Sequence, residues 1–501
     1  MQSLYITLAV RFGFAIICVL AAHAQGGRGG GDWITAGSDA QRSSWVRTDP
    51  KISPASMANP GFGLVWKIKL PGEPTIASTV DRYIGYRGFR SYAFMGSKSG
   101  EITAIDSDLG RVEWKKILPG GSAKPSGSAP CTGGMTANVV RPTTGAMPAS
   151  SGGRGGGGGR TGGAKSSVGQ PLEGAVTIAE AAARAGVGRG PGGGRGPGGG
   201  RGPDANNPFG PRVSPLLAIS SDGMLHIMYV SNGEEPKPPV PFLPAGANAH
   251  GFIVVDNITY AATSQGCGGV ANGIWALDIA AKQTVHWTPE GDIAGSAGFA
   301  FGPDGTVYAS TSGGVLAALD PKTLQLKSSY KSGGPTFRSS PVVFEYKAKT
   351  LIAATSQDGR IHIADASSLS GTGYPAAASG ELASWQDAAG TRWFVAPAKD
   401  AIAAWKLDEQ DNTLTLQPGW TSREIPSPRS PIVVNGIIFA AANSSSPVLY
   451  ALDGSTGREL WNSGKIMTAP VRESGISGSG SQIYLGTSDG TIYAFGFPTE
   501  H

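Results

Sequence analysis

The chain has 501 residues, of which 77 are Gly and 36 are Pro, with 15% charged residues and a net charge of +5. The basic excess is local, because residues 119–211 hold nine Lys/Arg against three Asp/Glu. The remainder is close to neutral, which excludes the charge bias expected of a nucleic-acid binder.

At the N-terminus, Arg11 precedes the apolar run Phe12 to Leu20, and Ala22-His23-Ala24 supplies small residues at both positions a signal peptidase reads. Residues 1–24 are therefore expected to be a signal peptide, and the mature chain to be periplasmic or secreted. No other stretch is long and apolar enough to span a bilayer. Cleavage after Ala24 removes Cys18 and leaves Cys131 and Cys267. An even pair in an oxidising compartment predicts a disulfide, and both cysteines sit in Gly-rich turns that can meet its geometry. Two unrelated thiols are the alternative.

Residues 25–63 read as an entry segment. The strand Leu64 to Leu70 stands alone before the first full repeat. After it, one short pattern recurs. Its clearest copy is Val448-Leu449-Tyr450-Ala451-Leu452-Asp453, followed by Thr456-Gly457 and Trp461. Equivalent anchors fall at Asp106, Tyr229, Asp278, Asp320, Asp365, Lys406, Asp453 and Gly496. After a first gap of 123 residues the intervals run from 41 to 49. That is the period of a four-stranded propeller blade.

Each repeat divides the same way. In the seventh, Ser430 to Val434 is an apolar innermost strand, and Asn435-Gly436 is a hairpin turn. Ile437 to Ala441 and Val448 to Leu452 follow, and Trp461 lies on an outer strand. Asp453 is expected to hydrogen-bond its own turn, and Trp461 to pack between blades. The eighth repeat stops at Phe497, after its third strand, so Leu64 to Leu70 is assigned as its outer strand, closing the ring. The predicted fold is an all-β, eight-bladed propeller over residues 64–118 and 212–498. Residues 119–211 interrupt it. Within them, Ser150 to Pro203 is low in complexity and is expected to stay disordered, apart from a transient helix at Ala175 to Gly186.

Chemistry is harder to find. The six His are scattered, and no His/Cys/Asp cluster has zinc-ligand spacing. No Gly-rich run ends in the Lys-Ser/Thr of a phosphate loop. Asp387 and Glu473 lie near the expected starts of innermost strands as isolated acids. At the same level fall Arg338, Arg429, Arg472 and Arg212, with His250 in the third repeat. Guanidinium groups converging on one funnel would hold an anion such as a carboxylate.

The Ala-Leu-Asp, Thr-Gly, Trp spacing resembles the tryptophan-docking repeat of the pyrroloquinoline-quinone-like propellers, from about Asp32 to Phe497 with the insertion excluded. Asp32-Trp33 with Gly37 and Asp39 is similar to the entry segment of such proteins. The resemblance implies either of two activities. Quinoprotein dehydrogenases of this family oxidise alcohols or sugars with quinone and calcium. The outer-membrane-protein assembly lipoprotein is a cofactor-free scaffold. The dehydrogenases' adjacent Cys-Cys pair and Cys-x-x-Cys-His haem site are absent from this sequence. The expectation is a monomeric binding or assembly module. It would take a protein partner or small anionic ligand at the channel mouth, with a quinone-dependent dehydrogenase as the alternative. A polysaccharide-binding surface built from Trp275, Trp385, Trp393 and Trp405 is a third possibility, although Trp275 and Trp405 read as core.

Overall fold

In the computed structural model, residues 31–85, 88–120, 131, 133–145, 147 and 215–498 are described. Eight sheets follow one another along the chain and form the eight blades. Blade 4 is representative: Phe299–Phe301 lies innermost, then Val307–Ser310, Val315–Leu319 and Leu326–Lys331, each antiparallel to the last. Innermost strands of successive blades touch around a common axis, as Val342–Tyr346 does with Ala383–Gln386 and the latter with Ile432–Val434. No helix among the described residues is long and apolar enough to cross a membrane.

Two repeated turns set the blades. Between second and third strands, blades 2, 5 and 8 carry Ser-Ser-Asp-Gly, Ser-Gln-Asp-Gly and Thr-Ser-Asp-Gly. The glycines Gly223, Gly359 and Gly490 have φ of 84°, 79° and 90°, a region that suits Gly and few other residues. Between third and outer strands, the anchor Asp folds back on its turn. Asp453 Oδ1 accepts from the Ser455 and Thr456 amides at 3.0 and 2.9 Å, and Asp320 and Asp365 do the same.

Tryptophans on outer strands then clamp neighbouring blades. Trp114 of blade 1 donates Nε1–H to Val230 O of blade 2 at 3.0 Å, and Trp420 of blade 6 donates to Gly454 O of blade 7 at 2.9 Å. Both rings lie against a turn glycine, Gly233 and Gly457, where any Cβ would collide with the indole. Trp461 packs edge-on against Phe62 and Phe495. The expected closure is present. Gly63–Lys69 pairs antiparallel with Thr491–Gly496, and Trp66 donates to Ser107 O of blade 1 at 2.7 Å. The last blade is thereby clamped to the first through a strand from the N-terminus.

The structure corrects two boundaries. The innermost strand of blade 2 does not begin near Arg212. Pro215–Ile219 pairs with Met224–Tyr229 across the Ser220 to Gly223 turn, so it is a second strand. The innermost position is taken by the segment around Val140, which bridges antiparallel to Leu217. Nor do residues 133–145 behave as part of an insertion. Met135, Ala137, Val139 and Val140 are fully buried, and Pro142–Thr143 runs parallel to the innermost strand of blade 3. The long low-complexity stretch separates two strands of one hairpin, which hid this strand from the repeat spacing. Residues 1–24, Arg212 and Ser150 to Pro203 lie outside the described residues.

Cys131 and Cys267 are disulfide-bonded, with Cα atoms 5.5 Å apart and a sequence separation of 136. The bond ties the approach to the inner strand of blade 2 to a tight turn of blade 3. In the chain-entropy model a loop of this length stabilises by roughly 4–5 kcal/mol. Thiol titration of the denatured, unreduced chain lacking residues 1–24 should find no free thiol. A Cys131→Ser/Cys267→Ser variant should melt well below the parent, and equal melting temperatures would show that the bond carries no stability.

Candidate functional site at the channel mouth

Closing eight blades leaves the channel-facing edge of every innermost strand without a partner. Residues 33–49 fill that channel and meet the blades in order. Trp33 N donates to Thr79 Oγ1 of blade 1 at 2.8 Å. Ile34 O accepts from the Arg141 amide beside blade 2 at 3.2 Å, and Thr35 Oγ1 donates to Phe252 O of blade 3 at 2.7 Å. Ala40 O, Gln41 O, Ser43 O and Ser44 O accept from Phe301, Val343, Ser384 and Val433 of blades 4 to 7, all at 2.9–3.0 Å. Asp49 Oδ2 accepts from the Ser481 amide of blade 8 at 2.9 Å. The segment is a collar that makes one circuit of the axis.

Arg42 holds the collar. Its guanidinium is fully buried and donates to Phe299 O at 2.7 Å, Ala36 O at 2.6 Å, Thr35 Oγ1 at 2.9 Å and Gly251 O at 2.8 Å. It forms no ion pair among the described residues. Burial lowers its pKa to about 9, against the opposing fields of Asp39 and Glu381, so it stays charged at neutral pH.

Above the collar opens the mouth at the starts of the innermost strands. Its floor is Trp33, Gly37, Arg42 and Ser44, and its wall includes Ser296, Ser340, Glu381 and Ser430. Both carboxylate oxygens of Glu381 are engaged. Oε1 accepts from Ser296 N at 2.5 Å and from Ser296 Oγ at 3.2 Å, and Oε2 accepts from Ser340 N at 2.9 Å. Burial nevertheless raises its pKa above the usual carboxylate range. Gly295 makes this approach possible, since a Cβ there would meet Ser340 N at 2.0 Å.

The sequence-predicted residues are only partly assembled. Arg338 and Arg429 precede the wall residues Ser340 and Ser430 in sequence, but neither is among the residues that line the mouth. Arg338 is exposed and Arg429 half-buried. Arg429 Nε is buried without a hydrogen-bond partner. Arg472 is committed elsewhere, to Glu73 at 2.7 Å and to Pro74 O. His250 is recessed beside Arg42, and burial lowers its pKa to about 4, so it is neutral at pH 7. Asp387 lies after an innermost strand, at the opposite end, where it caps a turn and accepts from Trp393 Nε1 at 2.8 Å. Trp385, Trp393 and Trp405 are buried in the core, so they form no sugar platform. Arg42 and Glu381 were not foreseen. Nothing in the local sequence marks them, because their environment is created by ring closure.

Toward a quinone with calcium, the residues lining this mouth offer one carboxylate, Glu381. The collar occupies the axis and leaves a cavity of about 40 Å³, room for about three waters. No group of three or more His, Cys, Asp or Glu among the described residues could hold a metal ion.

A family model described as outer membrane protein assembly factor BamB matches residues 272–462. That match covers less than half of the chain, and over it the blades are similar to pyrroloquinoline-quinone-like propeller repeats. The chain superposes on the quinohemoprotein alcohol dehydrogenase of Comamonas testosteroni at 13% identity and a TM-score of 0.56, covering 95% of this chain and 82% of that one. BamB from Moraxella catarrhalis matches at 13% identity and a TM-score of 0.50, covering 88% and 99%. The computationally designed Ika8 protein matches at 13% identity and 0.52, covering 87% and 100%. At these identities the likeness is one of fold. No curated protein matches the sequence.

Two measurements test this geometry. Arg42→Ala would strand carbonyls of blades 3 and 4 and empty their cage. A loss of about 3 kcal/mol or more in denaturant unfolding is expected. For His250 the folded pKa lies below the unfolded one, so its contribution is complete above pH 6.5 and is lost as pH falls toward about 4. His250→Gln should therefore flatten the acid limb of the stability profile by up to about 3 kcal/mol. Superimposable profiles for parent and variant would contradict this.

Proposed function

We propose that this propeller is an exported, non-enzymatic binding or assembly module. The observation that carries this reading is the collar, since the chain's own residues 33–49 stand on the axis where a cofactor would need room. What is left for recognition is the shallow mouth and the blade loops. Both suit a protein partner or a small anionic group better than a three-ring cofactor.

Electrostatics favour an anion at the mouth. Arg42 places in the floor a positive charge with no ion-pair partner among the described residues, in a water-poor setting that weakens screening. Arg338 and Arg429 add charge at the rim. Glu381 opposes them, and its raised pKa reflects the cost of ionising in that setting.

Mixing the mature protein with pyrroloquinoline quinone and calcium, followed by gel filtration, should leave no chromophore with the protein. No dye reduction with alcohols or sugars should follow. A stoichiometric chromophore would establish the alternative, a quinone-dependent dehydrogenase. Binding at the mouth is tested separately. A dicarboxylate should raise the melting temperature at low salt, by linkage to the folded state. Arg338→Gln/Arg429→Gln should abolish that rise without unfolding the protein. An undiminished rise in the double variant would remove the mouth as the anion site.

A further inference from the structure

Blade 2 departs from the other blades at its rim. Their outer strands run from four residues, Glu459–Asn462, to nine, Thr413–Thr421. In blade 2 the outer position pairs through Val240–Pro241 alone, against Leu225 and Met224. The reason is in the sequence Pro236-Lys237-Pro238-Pro239-Val240-Pro241. Four of these six residues are prolines without an amide hydrogen, so the stretch builds only this short ladder and offers few donors to a further strand.

Proline-dense chain adopts the polyproline II helix, with three residues per turn. Two of its three faces keep that period in burial. Pro236 and Pro239 are half-buried against the blade, while Pro238 and Pro241 are exposed. Both ends of the stretch are fastened. Glu235 pairs with Lys116 of blade 1 at 2.7 Å and meets His226 Nδ1 at 3.2 Å. Glu234 O accepts from the Tyr229 amide at 2.8 Å. At the other end Phe242 is buried, and its amide donates to Gly223 O at 3.0 Å.

We propose that residues 236–241 form a polyproline ridge that docks into an aromatic-walled groove on a partner protein. Two exposed prolines three residues apart on one face are the feature that such grooves read. A flexible Pro-rich ligand loses conformational freedom when it binds. This one is anchored at both ends, so less ordering is needed on docking. The ridge is a surface separate from the channel mouth, and its fate does not depend on what the mouth binds.

The test uses the full-length mature protein and two purified probes, an SH3 domain and a WW domain, whose groove tryptophans report occupancy by fluorescence. A saturable change is expected with at least one probe. Pro238→Ala/Pro241→Ala should bind about tenfold more weakly or not at all. Pro238→Glu should lose binding through steric and charge mismatch. Both variants alter exposed positions, so their thermal melts should match the parent and show that the fold is retained. No response from either probe up to about 1 mM protein would overturn the proposal, as would equal binding by parent and double variant.

Discussion

Eight innermost strands pointing the same way present eight unpaired edges to a narrow channel, and unpaired backbone groups there are costly. The collar answers this constraint with one extended segment whose residues reach blades 1 to 8 in chain order. Its hydrogen bonds are individually modest, about 1 kcal/mol each net, and the cost of leaving the edges unmet is larger. Arg42 fixes the segment in place. A buried charge without an ion-pair partner is normally unfavourable, and here three carbonyls and a hydroxyl replace its water.

The same N-terminal stretch closes the ring twice. After the collar leaves the axis it supplies Gly63–Lys69 to blade 8, and Trp66 then docks on blade 1. Axis and rim are thus stabilised by neighbouring parts of one segment, so the sheet stack cannot be complete until the N-terminus is in place. Everything between the blades is local packing by comparison. Separate apolar clusters lie between successive sheets, such as the one joining Phe299, Phe301 and Tyr260 across blades 3 and 4.

The blade architecture was legible because each blade is specified by short-range chemistry. Asp turns, φ-positive glycines and docking tryptophans recur at a fixed spacing, and the missing strand after Phe497 pointed to Trp66. What was hidden depends on long-range placement. The inner strand of blade 2, around Val140, is separated from its hairpin partner at Leu217 by a low-complexity stretch, so no local pattern joins them. The collar was read as an entry segment, because Gly37 and Asp39 mark turns while nothing in the sequence places Arg42 on the axis. Of the arginines expected at the mouth, Arg472 answers to Glu73, whose identity as a partner appears only when the strand start of blade 8 meets the loop before blade 1.

The collar also changes what the mouth can be. In an open channel, polar groups on the inner strands would face a water-filled pore deep enough for a cofactor. Raising the floor to Arg42 and Trp33 turns that pore into a shallow dish walled by hydroxyls and one reluctant carboxylate. Such a surface holds its charge close to solvent, with the buried Arg42 guanidinium set into the floor. The physical consequence is that the N-terminal segment, and not the blades alone, sets the depth and the polar lining of the mouth.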